Sequence, residues 1–284
     1  MTFRRLVRLT RQMAKRTPMA VAVVAALVFA PAAAARPAQQ PDAITLRVVF
    51  PEGFSARQMA DRVAEVRRIA IEKRHVTPRL TGSGYARAVR SARTPRGFAR
   101  YLKRRSVEGF LFPALYEFSP QTTAATLVQN QLAAFTLRWK SVDLSAARRR
   151  GRTPYDVLSI ASMVERETVV PAERRLVAAV IHNRLDLGMP LGIDATLRYG
   201  LGIEGTRPLT RAQLVSNTPY NTRRFQGLPP TPIGNPGLAS IGAAARPAGV
   251  DYLYYVRKPD RIHHFFTADE EEFCRKAREY GYSC

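Results

Sequence analysis

The chain has 284 residues, 46% of them hydrophobic, so it can bury a sizeable core and is neither a disordered segment nor a disulfide-only miniprotein. Lys and Arg total 45 against 22 Asp and Glu, which gives a formal net charge of +23 at pH 7. This excess favours anionic partners, which are nucleic acid, an acidic membrane surface or an acidic polymer. Genomic base composition explains the arginine content equally well, so the charge alone does not choose a partner.

The N-terminus has the composition of an export and anchoring region. Residues 1–16 form a basic segment, residues 17–35 an uncharged and largely apolar one, and residues 36–43 a linker rich in Pro and Gln. We expect residues 17–35 to anchor the chain as a single pass in the bacterial cytoplasmic membrane, with the basic end inside and the remaining chain facing the periplasm. The small residues Ala33, Ala34 and Ala35 also fit cleavage and secretion to the periplasm. Either location argues against nucleic acid as the main partner.

Ordered structure is predicted to begin at Ile44. Alternating apolar residues over 44–50 predict a strand, and residues 51–53 a turn. Ser55 and Gln58 have the spacing of a capping box, and helical periodicity follows as far as Ala70. Shorter helices are predicted over 85–91 and 95–103. We therefore expect residues 44–105 to form a small N-terminal subdomain.

Residues 106–284 are predicted to form a second, mixed domain, which makes the whole chain α+β. The aromatic stretch 106–120 either plugs a core or lines a groove in which sugar rings stack. Helices are predicted over 122–139, 154–168 and 171–187, the second capped by Thr153 with Pro154 in its first turn. Gly and Pro make 188–249 loop-rich. A hairpin, 253–257 with 262–266, and a charged helix over 268–280 complete the chain.

The cysteines and histidines are few. Cys274 and Cys284 either close a small disulfide loop in an oxidising compartment or remain a helix residue and a free end. The four histidines show no ligand spacing, so we expect no metal site and no cofactor.

The helix that begins at Pro154 carries a candidate general acid. At about 100° per residue, Glu167 falls on the apolar side of the helix, beside Ile160 and Met163, whereas Ser159, Ser162 and Arg166 share a side predicted to be wet. An apolar wall disfavours the charged form of a carboxyl group and raises its pKa, as a general acid requires. Glu165 lies nearer Ser162. The alternative is that both are surface glutamates paired with Arg166, Arg174 or Arg175.

Several ordered blocks in the second half of the chain resemble one family. Residues 108–113 (EGFLFP) resemble an EGFLFPDTY loop, and residues 161–168 (ASMVERET) an ASIVEKET helix. Residues 182–191, 194–200, 218–222 and 227–237 resemble INRL with GMPL, DPTVxYG, SPYNTY and GLPPGPIxNPG, and residues 264–267 an HxFxxT segment. Together, from Glu108 to about Glu272, they resemble the endolytic murein transglycosylases, also called YceG-like proteins.

The resemblance implies a lyase that cuts peptidoglycan glycan strands internally, between N-acetylmuramic acid and N-acetylglucosamine, and leaves 1,6-anhydromuramyl ends. It implies Glu167 as the catalytic acid and base, a LysM-like fold for the N-terminal subdomain, and no cofactor. The expected partners are glycan strands, the cytoplasmic membrane and cell-wall synthesis proteins. Polar residues of the matching blocks are candidates for substrate binding: Glu165, Asn183, Asp194, Thr196, Tyr220, Asn221 and Asn235. Alternatively, Asn221 and Asn235 cap turns and Asp194 pairs with Arg184 or Arg198.

The sequence also departs from the family pattern at positions where the family has polar residues or a proline. The substituted positions are Ala114, Leu115, Gly192, Ile193, Ala195 and Phe273. They leave open a second reading, in which the chain is a divergent, non-catalytic peptidoglycan-binding protein or a membrane-tethered scaffold of cell-wall synthesis. Few arginines fall within the blocks that identify the site, so we expect the positive charge to act mainly elsewhere on the surface.

Overall fold

Ten α-helices and four short strands make up the part of the chain described by the computed structural model, which comprises residues 44–102, 104–205 and 207–284. The basic segment, the predicted membrane segment and the linker lie outside these residues. The elements in chain order are β1 Leu46–Val49, α1 Ala56–Arg74, α2 Gly82–Ser91, β2 Leu115–Phe118, α3 Ala124–Trp139, α4 Ser145–Arg149, α5 Pro154–Glu167, α6 Arg174–Asp186, α7 Asp194–Leu201, α8 Arg211–Leu214, α9 Leu238–Ala245, β3 Tyr254–Arg257, β4 His264–Thr267 and α10 Glu270–Glu279. The mixed α and β content predicted from the sequence is confirmed.

The two N-terminal helices pack together beside the β1–β2 sheet. The predicted capping box at α1 is present, since the Ser55 side chain accepts from the Gln58 backbone and the Gln58 side chain accepts from Ser55 N. Strand β1 is antiparallel to β2, with Leu46 opposite Phe118. Strand β2 comes from the aromatic stretch and was not predicted as a strand. It pairs with β1 across about 70 residues of sequence, so no local pattern announces the pairing.

The aromatic stretch 106–120 contributes mainly to the core. Phe110 is fully buried and packs edge-to-face against Phe98 and Phe135, with ring centroids 4.9 Å and 5.0 Å apart. Phe98 also contacts Trp139, 5.1 Å away. These rings join the segment after α2, the aromatic stretch and α3. Of the two readings of the aromatic stretch, the core plug is therefore the one observed for Phe110.

Helix α5 is buried on almost every side. Its Thr153 cap and Pro154 start are as predicted, and α9, α6 and α7 pack around it. Ser159 and Ser162 are buried, so the prediction that they share a wet side was wrong. The Ser162 hydroxyl donates to Ser159 O and accepts from Ile233 N, which lets a polar face enter the core. A helical wheel describes one helix alone, so it cannot show that another segment supplies hydrogen-bond partners to the polar side of that helix.

The stretches 95–103 and 188–249 differ from the helix predictions. The helix expected over 95–103 is reduced to a 3-10 turn, Ala99–Tyr101, because Gly97 takes a left-handed φ of 91°. The stretch 188–249, predicted to be loop-rich, contains α7, α8 and α9. Helix α9 has four alanines, which favour a helix, and packs closely on α5; the loop prediction followed from the Gly and Pro residues around it.

The C-terminal hairpin and its disulfide are observed. Strands β3 and β4 pair antiparallel, with Tyr255 opposite Phe266 and Arg257 opposite His264. Cys274 on α10 is bonded to Cys284, with Cα atoms 5.2 Å apart, which resolves the two readings of the cysteines in favour of the disulfide. Within residues 44–102, 104–205 and 207–284 no helix has the length and apolar character needed to cross a bilayer.

Candidate active site

Glu167 is the last residue of α5, at the point where the buried helix reaches a large cavity. The cavity has a volume of about 930 Å³ and is open on one side. Helix α7 and the β3–β4 hairpin form much of its wall, with the C-terminal residues Tyr282 and Ser283 at its edge. The buried helix α5 thus places the Glu167 carboxyl group at the wall of the cavity.

The surroundings of Glu167 favour its protonated form. Burial raises its pKa, the negative charge of Asp194 adds to this, and a hydrogen bond from Tyr255 together with the charges of His264 and Arg257 opposes it. The net pKa is above the usual value of a glutamic acid. This direction agrees with the prediction from the helical wheel.

Tyr255 holds the Glu167 carboxyl in place. Its hydroxyl donates to Glu167 Oε2 at 2.8 Å. The Tyr255 ring packs edge-on against the His264 imidazole, with centroids 5.5 Å apart. Below it, His264 Nδ1 lies 2.7 Å from Glu173 Oε2, and the same carboxylate accepts from His264 N and Thr168 Oγ1. Although burial opposes it, hydrogen bonding to His264 lowers the pKa of Glu173. The hairpin is therefore anchored beside the catalytic candidate.

Asp194 is the other carboxylate that lines the cavity. It begins α7 and accepts from Arg223 Nε at 2.9 Å and Nη2 at 2.7 Å. Its partner is thus Arg223, and the expected alternatives, Arg184 and Arg198, were wrong. Asn221 is buried below this pair, donates to Leu214 O and Ser216 O, and accepts from Arg223 N. Asn221 shapes the loop that presents Arg223.

The remaining predicted substrate-binding residues do not line this cavity. Glu165 accepts from Gly237 N at 2.9 Å and lies 4.0 Å from Arg174. Asn183 donates to the carbonyls of Val250 and Tyr252, which ties α6 to the start of the hairpin. The buried Thr196 donates to Ile193 O and lies 2.9 Å from Thr222 Oγ1. All three use their polar atoms within the fold.

Tyr220 and Asn235 lie around a second, smaller polar cluster. At its centre is Glu108, which is 5% exposed and accepts from Ala56 N, Tyr199 Oη and Asn235 Nδ2, the last two at 2.9 Å and 2.7 Å. Burial raises the pKa of Glu108 to about 7, while these hydrogen bonds oppose the shift. The Tyr220 and Tyr199 rings are 5.1 Å apart. The cluster joins the start of α1 to α7 and to the Asn235 loop.

Sequence reasoning missed three features of these sites. Tyr255 was placed on the predicted strand but not in the site, since nothing in strand alternation identifies its partner. Glu108 belongs to the EGFLFP block, and its position before a run of buried aromatic residues indicates a carboxyl group that is itself buried and needs hydrogen-bond partners. The expectation that few arginines lie at the site was wrong, because five line the cavity: Arg166, Arg184, Arg198, Arg223 and Arg257. They come from five separate segments.

Several departures from the family pattern also lie in the cavity wall. Gly192, Ala195 and Phe273 line it, and the Phe273 ring stacks on Tyr254 at 5.2 Å. Gly192 has a φ of 69°, which glycine adopts without strain. Glu167 lines the same cavity as these three residues. In the described residues, no three His, Cys, Asp or Glu side chains are grouped as a metal ion requires.

The fold and the cavity define a mixed α/β protein in which a helix-terminal glutamate with a raised pKa lines an open, arginine-lined cleft. Residues 19–279 match the profile of the YceG-like family. The chain belongs to that family, and the match extends well beyond the blocks from which the resemblance was inferred.

Named relatives match part of this chain. It is 35% identical over 152 residues to an endolytic murein transglycosylase of Bacillus subtilis (strain 168), covering 54% of this chain and 42% of that protein. It is 30% identical over 178 residues to an endolytic murein transglycosylase of Streptococcus pneumoniae (strain ATCC BAA-255 / R6), covering 61% and 32%. The chain thus spans less than half the length of these relatives. A crystal structure of a yceG-like protein from Listeria monocytogenes superposes with a TM-score of 0.68 at 25% identity, covering 80% of this chain and 74% of that one.

Proposed function

We propose that this protein is an endolytic lytic transglycosylase, a lyase that cleaves peptidoglycan strands between N-acetylmuramic acid and N-acetylglucosamine, with Glu167 as acid and base. The observation that carries the proposal is the Glu167 carboxyl group, which accepts a hydrogen bond from Tyr255, has its pKa raised by burial and lines a cavity of about 930 Å³. The names of the B. subtilis and S. pneumoniae relatives support the same activity.

One carboxyl group is sufficient for this reaction. Protonated Glu167 donates its proton to the glycosidic oxygen as the bond to C1 breaks. The resulting carboxylate then takes the proton of the muramyl C6 hydroxyl, whose oxygen attacks C1 and closes the 1,6-anhydro ring. No water is consumed, so the second carboxylate of a hydrolase is not required. Asp194 supplies negative charge in the same cavity and is our candidate for stabilising the oxocarbenium-like transition state.

The nature of the product tests the proposal directly. We expect the fragment from residue 42, which forms one compact unit, to release 1,6-anhydromuramyl products from purified sacculi, because intramolecular attack needs only Glu167. Mass spectrometry of the released muropeptides distinguishes the outcomes. Products with reducing ends would indicate a hydrolase, and the absence of product would favour the non-catalytic binding reading.

Tyr255 is proposed to set the protonation of Glu167. Its hydrogen bond favours the carboxylate, so Tyr255→Phe removes an interaction that lowers the Glu167 pKa. We expect the alkaline limb of the kcat/KM profile to move to higher pH and kcat to fall by about tenfold or less. Tyr252→Phe is the matched control, because Tyr252 precedes the strand and does not line the cavity. An unchanged pH profile in Tyr255→Phe would show that Tyr255 does not set the protonation of Glu167.

The predicted substrate-binding residues divide into two proposed groups. Asp194 is proposed to contact the sugars, because it lies in the cavity. The others are proposed to hold the walls through the internal hydrogen bonds described above: Glu165, Asn183, Thr196, Tyr220, Asn221 and Asn235.

The location and domain organisation remain proposals. We infer that residues 17–35 anchor the chain in the cytoplasmic membrane, with residues 44–284 in the periplasm near cell-wall synthesis proteins; secretion after cleavage is the alternative. The Cys274–Cys284 disulfide supports an oxidising compartment. We further propose that residues 44–105 form a LysM-like subdomain that holds glycan, supported by the packing of α1 on α2 beside the β1–β2 sheet. Because strand β2, at Leu115–Phe118, pairs with β1, the proposed subdomain includes residues beyond 105.

A further inference from the structure

The charge of the cavity around Glu167 does not match a neutral sugar chain. Five arginines line it, whereas its carboxylates are Glu167 and Asp194. Asp194 is paired with Arg223. Even when Glu167 is ionised, the four remaining arginines outnumber it in the cavity wall. A concave site with this excess attracts an anion.

Four of the five arginines have internal partners. Arg166 donates to Gly53 O, Arg223 to Asp194, and Arg198 to the carbonyls of Gly205 and Arg207. Arg184 donates to Leu253 O at 2.6 Å and to the carbonyls of Pro190 and Leu191 at 3.1 Å. Each of these four side chains is thus held against the cavity wall by at least one hydrogen bond within the fold.

Arg257 is the exception. It is the last residue of β3 and exposed, and its guanidinium group makes no hydrogen bond or ion pair with any residue of the described parts of the chain. It nevertheless lies in the cavity wall two residues from Tyr255, close enough for its charge to act on Glu167. An unpaired guanidinium group beside the proposed acid has its full set of donors free for a ligand.

The chemistry of arginine indicates that the ligand of Arg257 is a carboxylate. The planar guanidinium fork matches a carboxylate with two parallel hydrogen bonds, and such charged pairs are stronger than bonds to neutral hydroxyl groups. Murein differs from neutral β-1,4-linked glycans in carrying carboxylates. One source is the lactyl group of the muramyl sugar, which is free when the stem peptide is absent. The other is the stem peptide itself.

We propose that Arg257 binds a carboxylate of the glycan strand next to the scissile bond, so that the cavity selects carboxylate-bearing murein over neutral glycans. The proposal rests on the proposed function, because it places the scissile bond at Glu167. It assigns Arg257 to substrate recognition, with no part in proton transfer.

The test measures binding in the Glu167→Gln variant, which does not turn substrate over and lacks the carboxyl group whose pKa Arg257 affects. The probes are uncross-linked strands with stem peptides, strands whose peptides have been removed, and both again after conversion of their carboxyl groups to carboxamides. By calorimetry, we expect amidation to weaken the Kd about tenfold or more. The strand type that loses affinity identifies the source of the carboxylate.

The variant Arg257→Gln is expected to weaken binding of the carboxylate form by a similar factor and to leave binding of the amidated form unchanged. Arg257→Lys should retain part of the affinity, and thermal unfolding should show that all variants are folded. Arg148→Gln is the matched control, since Arg148 is exposed on α4 and lies outside the cavity.

Three results overturn the proposal: amidated strands that bind as well as unmodified ones, an Arg257→Gln variant that still binds the carboxylate form more tightly than the amidated form by the original factor, or no binding of either strand type. Turnover by the wild type is assayed separately. If the wild type releases no anhydro product but carboxylate-dependent binding persists, the proposed catalytic function fails and the role of Arg257 stands.

Discussion

Glu167→Gln is expected to abolish release of anhydro products, with a loss of at least about a thousandfold in kcat. The amide keeps the size of the side chain and one oxygen to accept from Tyr255, but it has no proton to give to the glycosidic oxygen. Because the reaction uses one group first as acid and then as base, the substitution removes both steps. Glycan binding and the midpoint of thermal unfolding should change little.

Glu165→Gln is the matched control on the same helix. Its side chain is 7% exposed and faces Gly237 N and Arg174, away from the cavity, and a glutamine oxygen accepts from Gly237 as well. We expect this variant to retain at least partial activity. Mass spectrometry of digests run in parallel provides the comparison. Equal loss in both variants, or loss at Glu165 alone, would show that the proton donor has been misassigned.

The second large effect concerns stability and the buried carboxyl group of Glu108. Burial raises its pKa from 4.5 to about 7 in the folded chain. Between these pH values the folded protein holds a proton that the unfolded chain has released, so the free energy of unfolding falls as pH rises through this window. A shift of this size corresponds to about 3 kcal/mol, all of it lost above pH 7.

Glu108→Gln removes this titration. We expect the difference in unfolding free energy between variant and wild type to change by about 3 kcal/mol from pH 4.5 to pH 8, in favour of the variant at the higher pH. The altered hydrogen bonds to Ala56, Tyr199 and Asn235 also lower the unfolding free energy of the variant, but by the same amount at pH 4.5 and at pH 8, so they do not affect this change. Denaturant titrations across the pH range provide the measurement.

Glu117→Gln serves as the comparison for Glu108, because Glu117 is an exposed glutamate paired with Arg47 on the surface. The unfolding free energy of Glu117→Gln should depend on pH in the same way as that of the wild type. If Glu108→Gln and the wild type lose stability in parallel as pH rises, the Glu108 carboxyl group does not hold a proton in the folded state.

Local sequence determined the elements whose signals lie within one or two turns. The α1 capping box depends on Ser55 and Gln58 alone, and the α5 start on Thr153 and Pro154. Helical periodicity also predicts that Glu167 lies beside the apolar residues of α5. For the same reason the raised pKa of Glu167 was predicted in its direction before the surrounding elements were known.

Tertiary structure decided everything that depends on contacts between distant segments. Tyr255 meets Glu167 across 88 residues, and Asn235 meets Glu108 across 127, distances over which sequence periodicity carries no information. The buried serines of α5 are tolerated only because Ile233 N supplies a partner for Ser162. The five cavity arginines look like surface charge in the sequence, since they lie far apart from one another along the chain. Only the packing of α5, α6, α7 and the β3–β4 hairpin brings them around one carboxyl group.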